Sequence, residues 1–218
     1  MVEFDGLLRG VDANKLLSEN TDSKNRLYGR LGGTVQARFA GSERVRIGRS
    51  ATGKGQLTLV NGRLGQINLA REVIAVGELV GLRYEQRDTP IEDMSTDFEI
   101  GEGWVRTADL SLRTPDLNMT AVGGFSFEEE LAFEATATFT PEATARMTSR
   151  SPLGALAGGL LTDEQGRAVV PFNIRGTFAQ PKFTLDVKRM AEMRLRRGRA
   201  SPVGNVRDIL DRLLKRRE

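Results

Sequence analysis

Apolar and polar residues alternate one by one through stretch after stretch of this chain. Val35, Ala37 and Phe39 do so, as do Phe98 and Ile100, Leu110 and Leu112, and the run Leu131, Phe133, Ala135, Ala137, Phe139. Neighbouring side chains of a strand point to opposite faces, so this period of two marks half-buried β-strands. Residues 53–69, GKGQLTLVNGRLGQINL, add a turn signal. Leu57 and Leu59 precede Asn61-Gly62, and Leu64, Ile67 and Leu69 follow it. Asn-Gly readily takes the two positive φ values of a type I′ turn, so a hairpin turning at Asn61-Gly62 is predicted. An isolated two-stranded ribbon is marginal in water, so this one needs further strands.

Two more hairpins supply them. Residues 91–100 pair with 104–112 around Gly101-Glu102-Gly103, and 118–127 pair with 131–139. Neighbouring hairpins of this kind predict an antiparallel meander with one dry face. Pro171 interrupts a strand over 168–174, which places it at an edge or a bulge. Helices are predicted over 11–17, with Asp12 as N-cap, over 69–82, with Asn68 as cap, and after Thr140-Pro141-Glu142. Residues 151–161 are small and apolar and fit either a helix or a connection. From 188 the pattern is helical again, with a break at 198–204. The expected fold class is mainly β: antiparallel hairpins in a curved or grooved sheet, a few helices and a basic C-terminal helix. No fixed-length repeat accompanies the recurring strand-turn-strand plan.

The chain has no Cys and no His. That removes thiolate chemistry, the usual general base, the usual zinc ligand, and the Ser-His and Cys-His dyads. Glu128-Glu129-Glu130 cannot converge easily, because adjacent strand residues face opposite ways. Gly53-Lys54-Gly55 lacks the spacing of a phosphate loop, and Ser126 and Ser151 have no histidine to activate them. A non-enzyme is therefore expected, with no catalytic residues, no metal and no cofactor.

Charge is unevenly placed. Residues 188–218 hold eleven Lys and Arg against four Asp and Glu, a net +7. The other 187 residues then carry 3 − 7 = −4 of the whole-chain +3. Arg194, Arg196, Arg197 and Arg199 suit an anionic membrane surface or another anionic partner. No aromatics interleave with them, so no nucleic acid is expected. No apolar run approaches the roughly 20 residues that span a bilayer, and residues 1–20 lack a signal pattern. The chain as given is thus expected to carry neither signal peptide nor transmembrane helix.

Several motifs follow one another in order: Val11-Asp12, Leu27-Tyr28-Gly29-Arg30-Leu31, Gly53-Lys54-Gly55-Gln56-Leu57, Gly101-Glu102-Gly103-Trp104, Gly123-Gly124-Phe125-Ser126-Phe127, Ile174-Arg175-Gly176, and Gly176-Thr177 with Pro181. Together they resemble the C-terminal region of AsmA-like proteins. The resemblance covers residues 6–217. It implies a domain over 1–187, with 1–50 leading into it, and a basic helical tail over 188–218. Family members, TamB and YhdP among the long ones, are envelope proteins anchored in the inner membrane and projecting into the periplasm. The resemblance implies a non-enzymatic role in outer-membrane biogenesis, holding or passing phospholipid along an apolar β groove. An anchor and a long N-terminal body are missing from the sequence, so a protein partner or that N-terminal region joins phospholipid and membrane surface as implied partners. The alternative is a structural adaptor that pairs with a partner by strand addition at a sheet edge. Phe125, Phe127, Leu131, Phe133 and Phe139 are the candidate groove lining. Burial favours reading the same residues as an ordinary sheet core, which does not exclude a groove.

Overall fold

The computed structural model describes residues 1–20, 25–40, 50–76, 87–150 and 161–200. Contacts divide the chain into two units, Met1–Asp186 and Val187–Glu218.

The first unit is built on nine antiparallel strands: β1 (Val2–Asp12), β2 (Leu27–Phe39), β3 (Thr52–Leu64), β4 (Thr89–Gly101), β5 (Trp104–Arg113), β6 (Leu117–Ser126), β7 (Glu130–Phe139), β8 (Val169–Thr177) and β9 (Pro181–Leu185). They lie in one sheet in chain order, each hydrogen-bonded to the strands before and after it, and β1 does not pair with β9. The fold is thus a mainly β, open antiparallel meander, as the alternating runs predict.

Helices α1 (Ala13–Asn20), α2 (Leu69–Val76) and α3 (Pro141–Arg150) sit in the β1–β2, β3–β4 and β7–β8 connections, all at one end of the strands. The other end, called the turn end, carries the tight β4–β5, β6–β7 and β8–β9 turns. Helix starts follow the expected caps. Asp12 Oδ1 accepts the Lys15 N–H at 3.0 Å, and Asn68 Oδ1 accepts the Arg71 N–H at 2.9 Å. The predicted extension of α2 beyond residue 76, and residues 151–160, lie outside the described residues.

The expectation of a hairpin at Asn61-Gly62 is corrected. Asn61-Gly62 is not a hairpin turn but lies inside the single long strand β3, which pairs with both β2 and β4. Asn61 does take a positive φ of 50°. It spends that conformation on a bulge, where the β2–β3 register shifts between Tyr28 and Arg30. The turn that does carry two positive φ values is Glu102 (54°) and Gly103 (78°), between β4 and β5.

Pro171 lies within β8, opposite Thr136 of β7. Its carbonyl accepts the Asp186 N–H at 3.0 Å, just past the end of β9. A residue's N–H and C=O leave an antiparallel strand on the same side. The missing N–H therefore faces the finished edge of β9, and the β7 ladder loses nothing.

The sheet curls. The Arg26 guanidinium, at the start of β2, donates to the Ala179 carbonyl in the β8–β9 turn at 2.7 Å. In a flat sheet the seven intervening steps of about 4.8 Å would hold β2 and β9 roughly 34 Å apart. Helix α2, which follows β3, likewise packs on β8 and β9. Inside the curl lies one apolar cluster in which Leu59, Val73, Leu117, Phe139, Val170 and Phe172 are all but fully buried.

The second unit is described through helix α4 (Val187–Ala200). The helix continues past Gly198, where the sequence predicts a break; residues 201–218 lie outside the described residues.

Candidate functional site

Register decides which apolar residues share a face. Near the helix end, Val11, Leu31, Leu59, Met94, Leu112, Met119, Ala137 and Val170 pair one to the next across eight strands. This row belongs to the core cluster, together with Ala70, Val73 and Ile74 of α2 and Ala143 and Met147 of α3.

A second row of the same inner face runs nearer the turn end and crosses all nine strands. It reads Phe4, Ala37, Gly53, Ile100, Val105, Phe125, Leu131, Gly176, Pro181. Only Leu131 in it is buried. Ala37, Ile100, Val105 and Phe125 are half-buried, and Phe4 is 53% exposed. Nine successive strands thus present a stripe without a charged side chain that the core cluster does not absorb.

The five lining candidates separate. Phe125 and Leu131 face each other directly across β6 and β7 in this row. Phe133, half-buried, follows on the same face opposite Gly123 and Ile174. The Phe125 ring also meets the Phe178 ring edge-on, with centroids 5.2 Å apart. Phe139 has no exposed surface and pairs with Leu117 at the helix end, inside the core. Phe127 follows β6 in the β6–β7 turn and is 47% exposed. Phe4, Ala37, Gly53, Ile100 and Val105 complete the row. Alternation marks several of them as inward-facing, but only register places them in line with Phe125.

The opposite face is polar. Asp5, Gln36, Lys54, Glu99 and Arg106 are successive cross-strand neighbours there, with charges of alternating sign. Two open clefts of about 650 and 750 Å³ overlie this part of the sheet. One of their acids, Asp109, has a structural role. Asp109 accepts the Asp97 N–H at 2.9 Å and the Thr107 hydroxyl at 3.0 Å, where the β4–β5 register shifts. The Asp97 N–H, and then the Thr107 and Thr96 hydroxyls, hold the Asp109 carboxyl below its ordinary value against the opposing effect of burial. Ser126 has a local role as well: its hydroxyl accepts the Glu128 and Glu130 N–H groups at 3.2 and 3.1 Å, closing the β6–β7 turn. Among the described residues, no group of three acids is placed to hold a metal ion.

Of the four tail arginines, Arg194 and Arg196 are exposed on α4, beside exposed Leu195. Arg197 and Arg199 belong to the same helix, and their side chains lie outside the described residues. Among the described residues no helix is long and apolar enough to cross a membrane.

Comparison with protein-family models, with curated proteins and with solved structures returned no match.

Proposed function

We propose that this chain is an AsmA-like envelope protein of non-enzymatic function, which holds or passes phospholipid along the turn-end stripe of its inner face. One observation carries the reading: an apolar row crosses nine curled strands and stays mostly half-buried, while a row of the same face nearer the helix end belongs to the packed core. Acyl methylenes laid on such a stripe leave water at about 0.8 kcal/mol each. The open sheet leaves no closed wall to cross, so a chain can slide along the row. The basic helix α4 would supply contact with anionic headgroups at a bilayer surface. The periplasmic face of the inner membrane is the location this reading implies.

Native mass spectrometry of the purified protein, with lipid extraction of the same sample, tests it. Phospholipid in stoichiometric amount is expected. A lipid-free, monodisperse, folded protein would overturn lipid carriage by this chain.

A second reading is favoured by a different observation. β1 is an 11-residue edge strand with Val2, Phe4 and Leu7 exposed. Such an edge suits an adaptor that binds its partner by strand addition.

A further inference from the structure

The two edges of the sheet are not alike. β9 has five residues, and Pro181 and Lys182 at its start are devices that discourage strand pairing. β1 has eleven residues with no Pro and no Lys, and among the described residues nothing pairs with its outer side. It is regular against β2 from Val2 to Leu8, and Gly10, at a φ of 61°, bends it only afterwards. Val2, Phe4 and Leu7 are 50, 53 and 58% exposed, which gathers three of the large exposed apolar side chains on one strand. β1 carries Glu3, Asp5, Arg9 and Asp12, yet an edge of this length with large exposed apolar side chains is a template for another strand.

We propose that the occupant is β1 of a second copy, paired antiparallel about a two-fold axis at Gly6. The inference rests on the edge-addition reading and adds the identity of the partner. In this register β1 is complementary to itself where Glu3 meets Arg9 and Phe4 meets Leu8, while Asp5 falls opposite Leu7 of the second copy. Glu3 falls opposite Arg9 of the second copy, and the symmetry repeats that ion pair. Phe4 falls opposite Leu8 of the second copy, and Gly6 meets Gly6 on the axis. Opposed residues of antiparallel strands share a face, so Phe4 and Leu8 meet on the inner side, where Phe4 already lies in line with Ala37. The ion pairs form on the outer side, where Glu3 contacts Arg38 at 3.0 Å. Moving the register by two residues toward the N-terminus would put Asp5 opposite Asp5; moving it by two toward the C-terminus would pair Asp5 with Arg9 but leave Glu3 opposite Val11, and Glu3→Arg alone would then not weaken the dimer. Moving it by one would join an inner face to an outer face. The dimer sets the end of one sheet's turn-end row, at Phe4, against Leu8 on the inner face of the other through an isologous contact.

Sedimentation-velocity and light-scattering measurements on the whole chain over a concentration series test the proposal. The unmodified chain should dimerise. Glu3→Arg alone and Arg9→Glu alone each oppose like charges twice, and should each weaken the dimer roughly tenfold or more. An equimolar mixture of the two variants opposes unlike charges at both pairs and should restore association. The loss of the Glu3–Arg38 contact is the same alone and in the mixture, so restoration reports the contact between chains. Circular dichroism of each variant checks that the sheet is intact. A folded chain that stays monomeric at every concentration overturns the proposal, as does a dimer indifferent to both reversals. A monomer that nevertheless binds a peptide strand of another sequence overturns self-pairing and leaves edge addition standing.

Discussion

Gly123 sits in β6 with a φ of 139°, and a Cβ there would lie 2.1 Å from the Ala132 carbonyl oxygen of β7. Neither the conformation nor the space admits a side chain, so Gly123→Ala should cost about 1–3 kcal/mol, read as a lower midpoint in thermal or urea unfolding. Asp163 is a second residue whose surroundings set its chemistry. Burial pushes its carboxyl up, but the Arg167 N–H, the Arg167 guanidinium at 2.7 Å and the Gln165 N–H outweigh that and hold it below its ordinary value of 3.8. A carboxyl lowered in the folded state stabilises fully above the unfolded value and loses that contribution as pH falls through the folded one. Asp88, lowered by the Gln66 N–H and then by Arg63, acts in the same direction. Thermal stability should therefore decline as pH drops below about 3.8. Asp163→Asn should be less stable at neutral pH and lose less on acidification, as calorimetry at both pH values would show.

Elements divide into those whose signals are local and those whose signals are not. The starts of α1 and α2 follow from Asp12 and Asn68, because a cap needs only a side-chain acceptor two or three residues before an orphan N–H. Asn68→Ala should accordingly destabilise by about 1 kcal/mol in chemical denaturation. Asn61-Gly62 shows the opposite case. A positive φ is a local preference, but whether it makes a turn or a bulge depends on the strands alongside. β2 and β4 flank β3 throughout its length, so the dipeptide bends the ribbon instead of reversing it. The pairing of β4 with β5 and of β6 with β7 was legible because short turns leave adjacent runs one way to meet.

At the scale of the molecule, curl turns one apolar face into two environments. Phe172 at the helix end is fully buried among core residues, so Phe172→Ala should cost about 3–5 kcal/mol. Ile100, half-buried in the turn-end row, should tolerate Ile100→Glu with a much smaller loss of stability. Under the lipid reading that variant should lose bound phospholipid while remaining folded. Parallel unfolding curves and lipid extraction on the two variants separate packing from carriage. If Ile100→Glu unfolds the protein as Phe172→Ala does, the row is core and the groove is lost.

The mainly β class, the sites of the helix caps, the β4–β5 and β6–β7 hairpins and the basic tail follow from the order of residues alone, since each rests on periodicity, on a cap or turn a few residues long, or on charge. The alignment of Phe4, Ala37, Gly53, Ile100, Val105 and Phe125 in one row does not. Period two fixes which face a residue takes within its own strand, whereas a row depends on the register of every pair between β1 and β9. The assignment of Phe139 to the core and the approach of Arg26 to Ala179 were likewise decided by the curl of the sheet. That curl sums small twists over nine strands and the packing of helices at one end, which no local stretch of sequence contains.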